Sequence, residues 1–181
     1  MKTTIALLFT LISVGAVAQM TEIPVKKIPE DYGYVVEIGQ QLPEFEMILT
    51  DGAKVGTSSL KGKVMMLQFT ASWCSVCRKE MPHIEKEIWQ KHKDNRDFAL
   101  FGIDMDEPID KVKDFAEDMK ITYPLALDPG AEIFYRFAAK GAGVTRNVIV
   151  DKEGKIRYMT RLFKQEEFNE MKEVIDFLLK I

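Results

Sequence analysis

Two nearly unbroken apolar runs mark the chain, Val64-Met65-Met66-Leu67-Gln68-Phe69 and Phe98 to Ile103, and a third apolar strand, Val144 to Val150, is interrupted by Thr145, Arg146 and Asn147. Runs of this length with almost no polar alternation fit strands buried on both faces. Between and after them the apolar spacing turns helical. It holds from Cys74 through Met81, Ile84, Ile88 and Trp89. Ile109 to Met119 repeats it with Val112, Phe115, Ala116 and Met119 on one side. Gln165 to Leu179 repeats it with Phe168, Met171, Val174, Ile175, Leu178 and Leu179. Each such stripe must be buried against another layer.

Weaker signals fill the gaps. Phe45 to Leu49 alternates and ends at Asp51-Gly52, a hairpin turn signal. Tyr123 to Leu127 suits a short strand and Ile133 to Phe137 a short helix. Asp151 to Gly154 turns the third apolar run into Lys155 to Thr160, an antiparallel hairpin. The lead-in from Gln19 to Gly39 carries Pro24, Pro29 and a Val35-Val36 pair, which suggests one short strand. Strands alternating with helices, closed by a hairpin and a helix, predict an α/β domain. Its central sheet is mixed, with helices on both faces and extra strands at the N-terminal side.

Composition narrows the function classes. Of the 181 residues, 46% are apolar and 29% charged, with a formal net charge of −3. This suits a globular protein and disfavours a nucleic-acid binder, which needs a basic face. Two cysteines are too few for a multi-bridge scaffold or a zinc site made of thiolates alone. Lys2, the apolar stretch Ile5 to Val14 and Ala16-Val17-Ala18 together fit a signal peptide, with Gln19 as the new first residue. A retained anchor is the alternative. The expected division is a signal peptide at 1–18, a lead-in at 19–38 and one domain at 39–181. Export would place both cysteines where disulfides persist.

Those cysteines lie in Trp73-Cys74-Ser75-Val76-Cys77, at a strand-to-helix junction. The first turn of a helix favours negative charge, so a thiol there ionises more readily. Cys74 is expected to be exposed and nucleophilic, and Cys77, one turn inside, to resolve the mixed disulfide. A structural staple is the plain alternative, but a four-residue loop gains only about 2 kcal/mol from closure. A metal site would need a fourth ligand beyond Cys74, Cys77 and His83.

The stretch from Lys61 to Pro82, with Trp73-Cys74-Ser75-Val76-Cys77 and Pro82 five residues on, resembles the active-site segment of the thioredoxin superfamily. It is closest to the TlpA/ResA-like exported thiol–disulfide oxidoreductases. Gly39 to Phe45 resembles the lead-in shared with peroxiredoxins, and Val144 to Ile156 the later hairpin. The resemblance implies a thioredoxin-like fold and dithiol chemistry without a cofactor or metal. It also implies protein or small-molecule disulfides as partners, a membrane electron donor, and a monomer in the periplasm or secreted. Gln68 stands where thioredoxins carry an acid. By resemblance the proton acceptor for Cys77 is Glu107, with a carboxyl raised by partial burial; the alternative is a loop acid capping the next helix. The substrate groove falls at Trp73, Val144 and Thr145. Thr145 replaces the family's cis-proline, which leaves the Val144–Thr145 bond open to either isomer. Trp73 is expected to shield Cys74. Arg146 either attracts anions or is solvated.

Two competing functions remain. A thiol peroxidase would need Pro and Thr where Leu67 and Ala71 stand. A binding module would hold a static bridge.

Overall fold

The computed structural model describes residues 22–24 and 26–181. The expected signal peptide lies outside the described residues, as does the start of the lead-in. One seven-stranded sheet runs through the domain. Its strands are β1 (Glu46–Leu49), β2 (Lys54–Gly56), β3 (Val64–Thr70), β4 (Phe98–Met105), β5 (Leu125–Asp128), β6 (Arg146–Val150) and β7 (Ile156–Arg161). Their spatial order is β2-β1-β5-β4-β3-β6-β7. The inner strands β3, β4 and β5 are parallel, and every other pairing is antiparallel.

β3 is the axis. All seven of its residues are buried, as an apolar run between two paired neighbours requires. Phe69 points to one face and packs edge-on against Phe134, with Phe137 beside it. Gln68 and Thr70 point to the other, where Thr70 Oγ1 donates to the Met81 sulfur at 3.4 Å. That second face carries α1 (Ser75–Ile84), α3 (Ile109–Met119) and α4 (Gln165–Lys180). Arg78 of α1 lies over the Phe115 ring of α3, and His83 packs on Phe168 of α4. The first face is covered by helical turns at Pro129–Ala131 and Phe134–Arg136 and by the lead-in.

Pro82 lies inside α1. Proline supplies no N–H and crowds the preceding turn, and the helix passes into a π turn at Glu85–Trp89 before α2 (Gln90–His92). The lead-in forms no strand at Val35-Val36. Val35 is exposed and Val36 buried, and Tyr34 and Gln41 each make one isolated bridge, to Ala138 and Lys155. The Val35 N–H donates to the Phe137 carbonyl at 2.9 Å, which belongs to no strand, so the pair has no ladder to join. Among the described residues no helix is long and apolar enough to cross a membrane.

Candidate functional site

Cys74 caps α1. Its φ of −83° and ψ of 103° are extended, and its Sγ accepts the Cys77 N–H at 3.1 Å. The Ala71 carbonyl holds the Cys74 N–H at 3.1 Å and so closes the turn out of β3. The two cysteines are joined as a disulfide, with Cα atoms 5.3 Å apart. Cys74 is 7% exposed and Cys77 fully buried. The order matches expectation, but Cys74 is more covered than a freely exposed thiol. The cover comes from the residue just before β6, while Trp73 stands 62% exposed.

Thr145 supplies that cover. No cis peptide occurs among the described residues, so Val144–Thr145 is trans. Thr145 nonetheless reaches the dithiol: its Oγ1 is 3.1 Å from Cys74 Sγ and 3.3 Å from Cys77 Sγ. Val144 is buried beside it.

Glu107 was expected to rise in pKa. Burial pushes that way, but the Lys111 ammonium and two Ser72 donors outweigh it and hold the carboxyl below its usual range. Ser72 donates through its N–H at 2.5 Å and its hydroxyl at 2.7 Å, and Lys111 lies 2.5 Å away. Ser72 is 35 residues distant in sequence, so periodicity carries no trace of this grip. No hydrogen bond joins Glu107 to either sulfur among the described residues.

Burial raises Glu80, Asp104 and Asp128, and the first two, which the sequence reading did not single out, rise furthest. Glu80 follows Cys77 by three residues, a spacing that puts both on one face of α1, and both are buried. Its Oε1 accepts from Asn147 Nδ2 at 2.7 Å. Burial pushes the Glu80 carboxyl up to about 7, with the Asn147 and Gln68 amides drawing it back. Asn147 also donates to Thr160 Oγ1 at 2.9 Å, and Tyr123 to Gln68 Oε1 at 2.7 Å. Gly102 makes this polar layer possible: a Cβ there would collide with Leu125 and stand 3.2 Å from the Tyr123 ring. Neither Asp104 oxygen has a partner among the described residues. Burial, then the charge on Glu107, pushes Asp104 up to about 8. One sequence signal pointed to Glu80: it is a carboxylate in phase with Cys77, Met81 and Ile84.

Arg146 is neither solvated nor aimed at the sulfurs. It is fully buried, with its guanidinium 4.4 Å from the centre of the Tyr34 ring and Nε donating to the Gly143 carbonyl at 3.1 Å. Burial lowers its pKa, and the nearby Tyr34 opposes that. His83 does not approach the cysteines as a third ligand; its Nδ1 pairs with Glu87 at 2.9 Å and its ring packs on Phe163. Among the described residues no three His, Cys, Asp or Glu side chains are placed to hold a metal ion.

Comparison with known proteins agrees with this geometry. Residues 37–175 match the Redoxin family. The chain is 31% identical over 121 residues to the thiol-disulfide oxidoreductase ResA of Bacillus thuringiensis subsp. konkukian, across 67% of this chain and 68% of that protein. It is 60% identical to a putative protein disulfide isomerase from Bacteroides thetaiotaomicron, whose solution structure superposes with a TM-score of 0.80 over 82% of this chain and 94% of the other. A putative thiol:disulfide interchange protein DsbE from Chlorobium tepidum shares the fold, with a TM-score of 0.66 at 22% identity over 79% of this chain and 99% of the other.

Proposed function

The chain belongs to the Redoxin family as a ResA-like thiol–disulfide oxidoreductase, and from that premise we propose that it is an exported reductase of protein disulfides acting through Cys74 and Cys77. One observation carries the reading: the two sulfurs are bridged across a single turn at the capped end of α1. There the helix N-terminus and the Cys77 N–H stabilise a thiolate on Cys74.

In the reduced protein the Cys74 thiolate attacks one sulfur of a substrate disulfide. That S–S bond breaks, a Cys74–substrate disulfide forms, and the departing thiolate takes a proton. The Cys77 thiolate then attacks Cys74 Sγ, closing the internal disulfide and releasing the second substrate thiolate. Two electrons pass from the dithiol to the substrate. A membrane electron donor returns the pair to the dithiol.

Cys77 must lose its proton inside the domain. We assign that proton to Glu80, which shares its helix face and has a carboxyl near neutrality. Glu107 has a positioning role: it ties Ser72, and so the turn leading into Cys74, to the start of α3. Trp73, Val144 and Thr145 form the groove that receives the polypeptide, with the exposed Trp73 ring offering apolar contact. The leader at 1–18 is the export signal, and residues 39–181 work as one monomeric catalytic domain. A pair of cysteines held as a disulfide suits an oxidising compartment.

Insulin reduction by the dithiol form tests the reading. Cys74→Ser should abolish turnover, and Cys77→Ser should accumulate a mixed disulfide through Cys74. Turnover that survives Cys74→Ser overturns it. Rapid peroxide consumption with no insulin reduction would point to a thiol peroxidase, and a bridge that resists mild reductant to a static one.

A further inference from the structure

Thr145 meets the dithiol with a hydroxyl group. It is 3% exposed, so water does not compete for its hydrogen. A buried hydroxyl needs a partner, and among the described residues its only ones are the two sulfurs, at 3.1 and 3.3 Å. The backbone behind it is pinned. Its carbonyl accepts the Leu162 N–H at 3.2 Å and Arg161 Nη1 at 3.4 Å. A disulfide sulfur is a poor acceptor, whereas a thiolate makes a charge-assisted bond. The contact therefore gains most of its strength when the bridge opens.

We propose that the Thr145 hydroxyl is a shared donor that follows the negative charge, serving Cys74 in the free dithiol and Cys77 once Cys74 is tied to substrate. This rests on the reading that Cys74 attacks and Cys77 resolves. One hydroxyl has one hydrogen, so it serves one sulfur at a time, and near-equal distances let a turn about the C–O bond redirect it. No bond to Thr145 forms or breaks; its proton stays on oxygen throughout. In the free dithiol it adds a second donor to the Cys77 N–H already on Cys74 Sγ. In the mixed disulfide it stabilises Cys77 as that thiolate forms.

Thr145→Val keeps the shape and removes the donor. In the reduced variant the pH profile of Cys74 alkylation by iodoacetamide should move up by about one pH unit, a tenfold loss of thiolate at a fixed lower pH. The equilibrium with a glutathione buffer, read above the thiol pKa, should shift about tenfold toward the disulfide, about 30 mV more negative. The mixed disulfide with a model substrate should persist several-fold longer. Thr145→Ser should restore all three. A purely packing role predicts the reverse ranking, with Val close to wild type and Ser worse. An unmoved alkylation profile in Thr145→Val, or no recovery in Thr145→Ser, overturns the proposal; should the Val protein fail to fold, Thr145→Ala must show the same upward shift. Wild type that lacks Cys74-dependent exchange refutes the functional reading itself. Normal wild-type exchange beside an unmoved profile refutes only the role of the hydroxyl.

Discussion

Glu80 lies on the helix that carries Cys77 and Glu107 holds the turn that leads into Cys74, and both are buried, yet their surroundings drive them in opposite directions. Glu80 lies within α1 and meets neutral amides, and burial carries its carboxyl up to about 7. Glu107 sits in the loop before α3 and accepts from Ser72 twice and from the Lys111 ammonium. Its carboxyl ends below the ordinary range. Desolvation disfavours both charges; what separates them is how many donors face the ionised form. The first glutamate is suited to exchanging a proton near neutral pH and the second to holding a loop in place.

Replacing Glu80 by Gln tests one side of this contrast and has the largest expected effect. An acid raised in the folded state contributes its full stability below its unfolded value, 4.5. That contribution is lost as pH rises through the folded value of about 7. Glu80→Gln in the oxidised protein should therefore match wild type near pH 4 and exceed it above pH 7 by about 3 kcal/mol. Urea unfolding at the two pH values measures the difference. Parallel stability profiles for the two proteins would show that Glu80 ionises as freely folded as unfolded.

Glu107→Gln probes the other side, with the opposite pH dependence. A carboxyl lowered in the folded state stabilises above its unfolded value, and the gain disappears as pH falls through the folded value. The variant should lose about 2 kcal/mol at pH 7, the worth of hydrogen bonds to a charged group, and the loss should fade as acid protonates the wild-type carboxyl. Because Ser72 leads into Cys74, insulin reduction should also fall, while Cys74 remains the nucleophile. If Glu107→Gln gains stability on raising the pH, as Glu80→Gln should, the distinction between the two acids is lost.

How much of this was legible depends on the range of the interaction. The continuous apolar run at Val64 to Phe69 announced β3, because full burial removes any need for alternation. The stripe at Ile109 to Met119 gave α3 to the residue. The cysteine spacing beside a strand gave the dithiol. Glu80 was hidden within Arg78-Lys79-Glu80, where a run of charges suggests a solvated face; only its phase with Cys77 and Ile84 shows otherwise. The low carboxyl of Glu107 depends on Lys111 and also on Ser72, and the Arg146 guanidinium lies against the Tyr34 ring. Ser72 and Tyr34 both arrive from segments distant in sequence. Val35-Val36 has β-branched character without a neighbouring strand to pair with, and composition alone cannot supply the neighbour.

Lys111 has the smallest expected effect and divides the Glu107 result into its parts. It stands four residues after Glu107, with its side chain half exposed at 2.5 Å from the carboxylate. Pairs of this kind are screened by water and salt and contribute less than about 1 kcal/mol. Lys111→Met should cost no more than that at low ionic strength. The loss should vanish near 1 M salt, where the screening length falls to about 3 Å. The Glu107 carboxyl should move up toward its ordinary value but stay well below Glu80, since both Ser72 donors remain. Carboxyl titration by NMR in wild type and variant measures both shifts. If Lys111→Met brought Glu107 level with Glu80, the ammonium alone would account for the contrast and the Ser72 bonds would add nothing. If Glu107 did not move, the neutral donors of the loop would suffice to keep a buried carboxylate ionised, and the weaker grip of the Asn147 and Gln68 amides on Glu80 would by itself explain its rise.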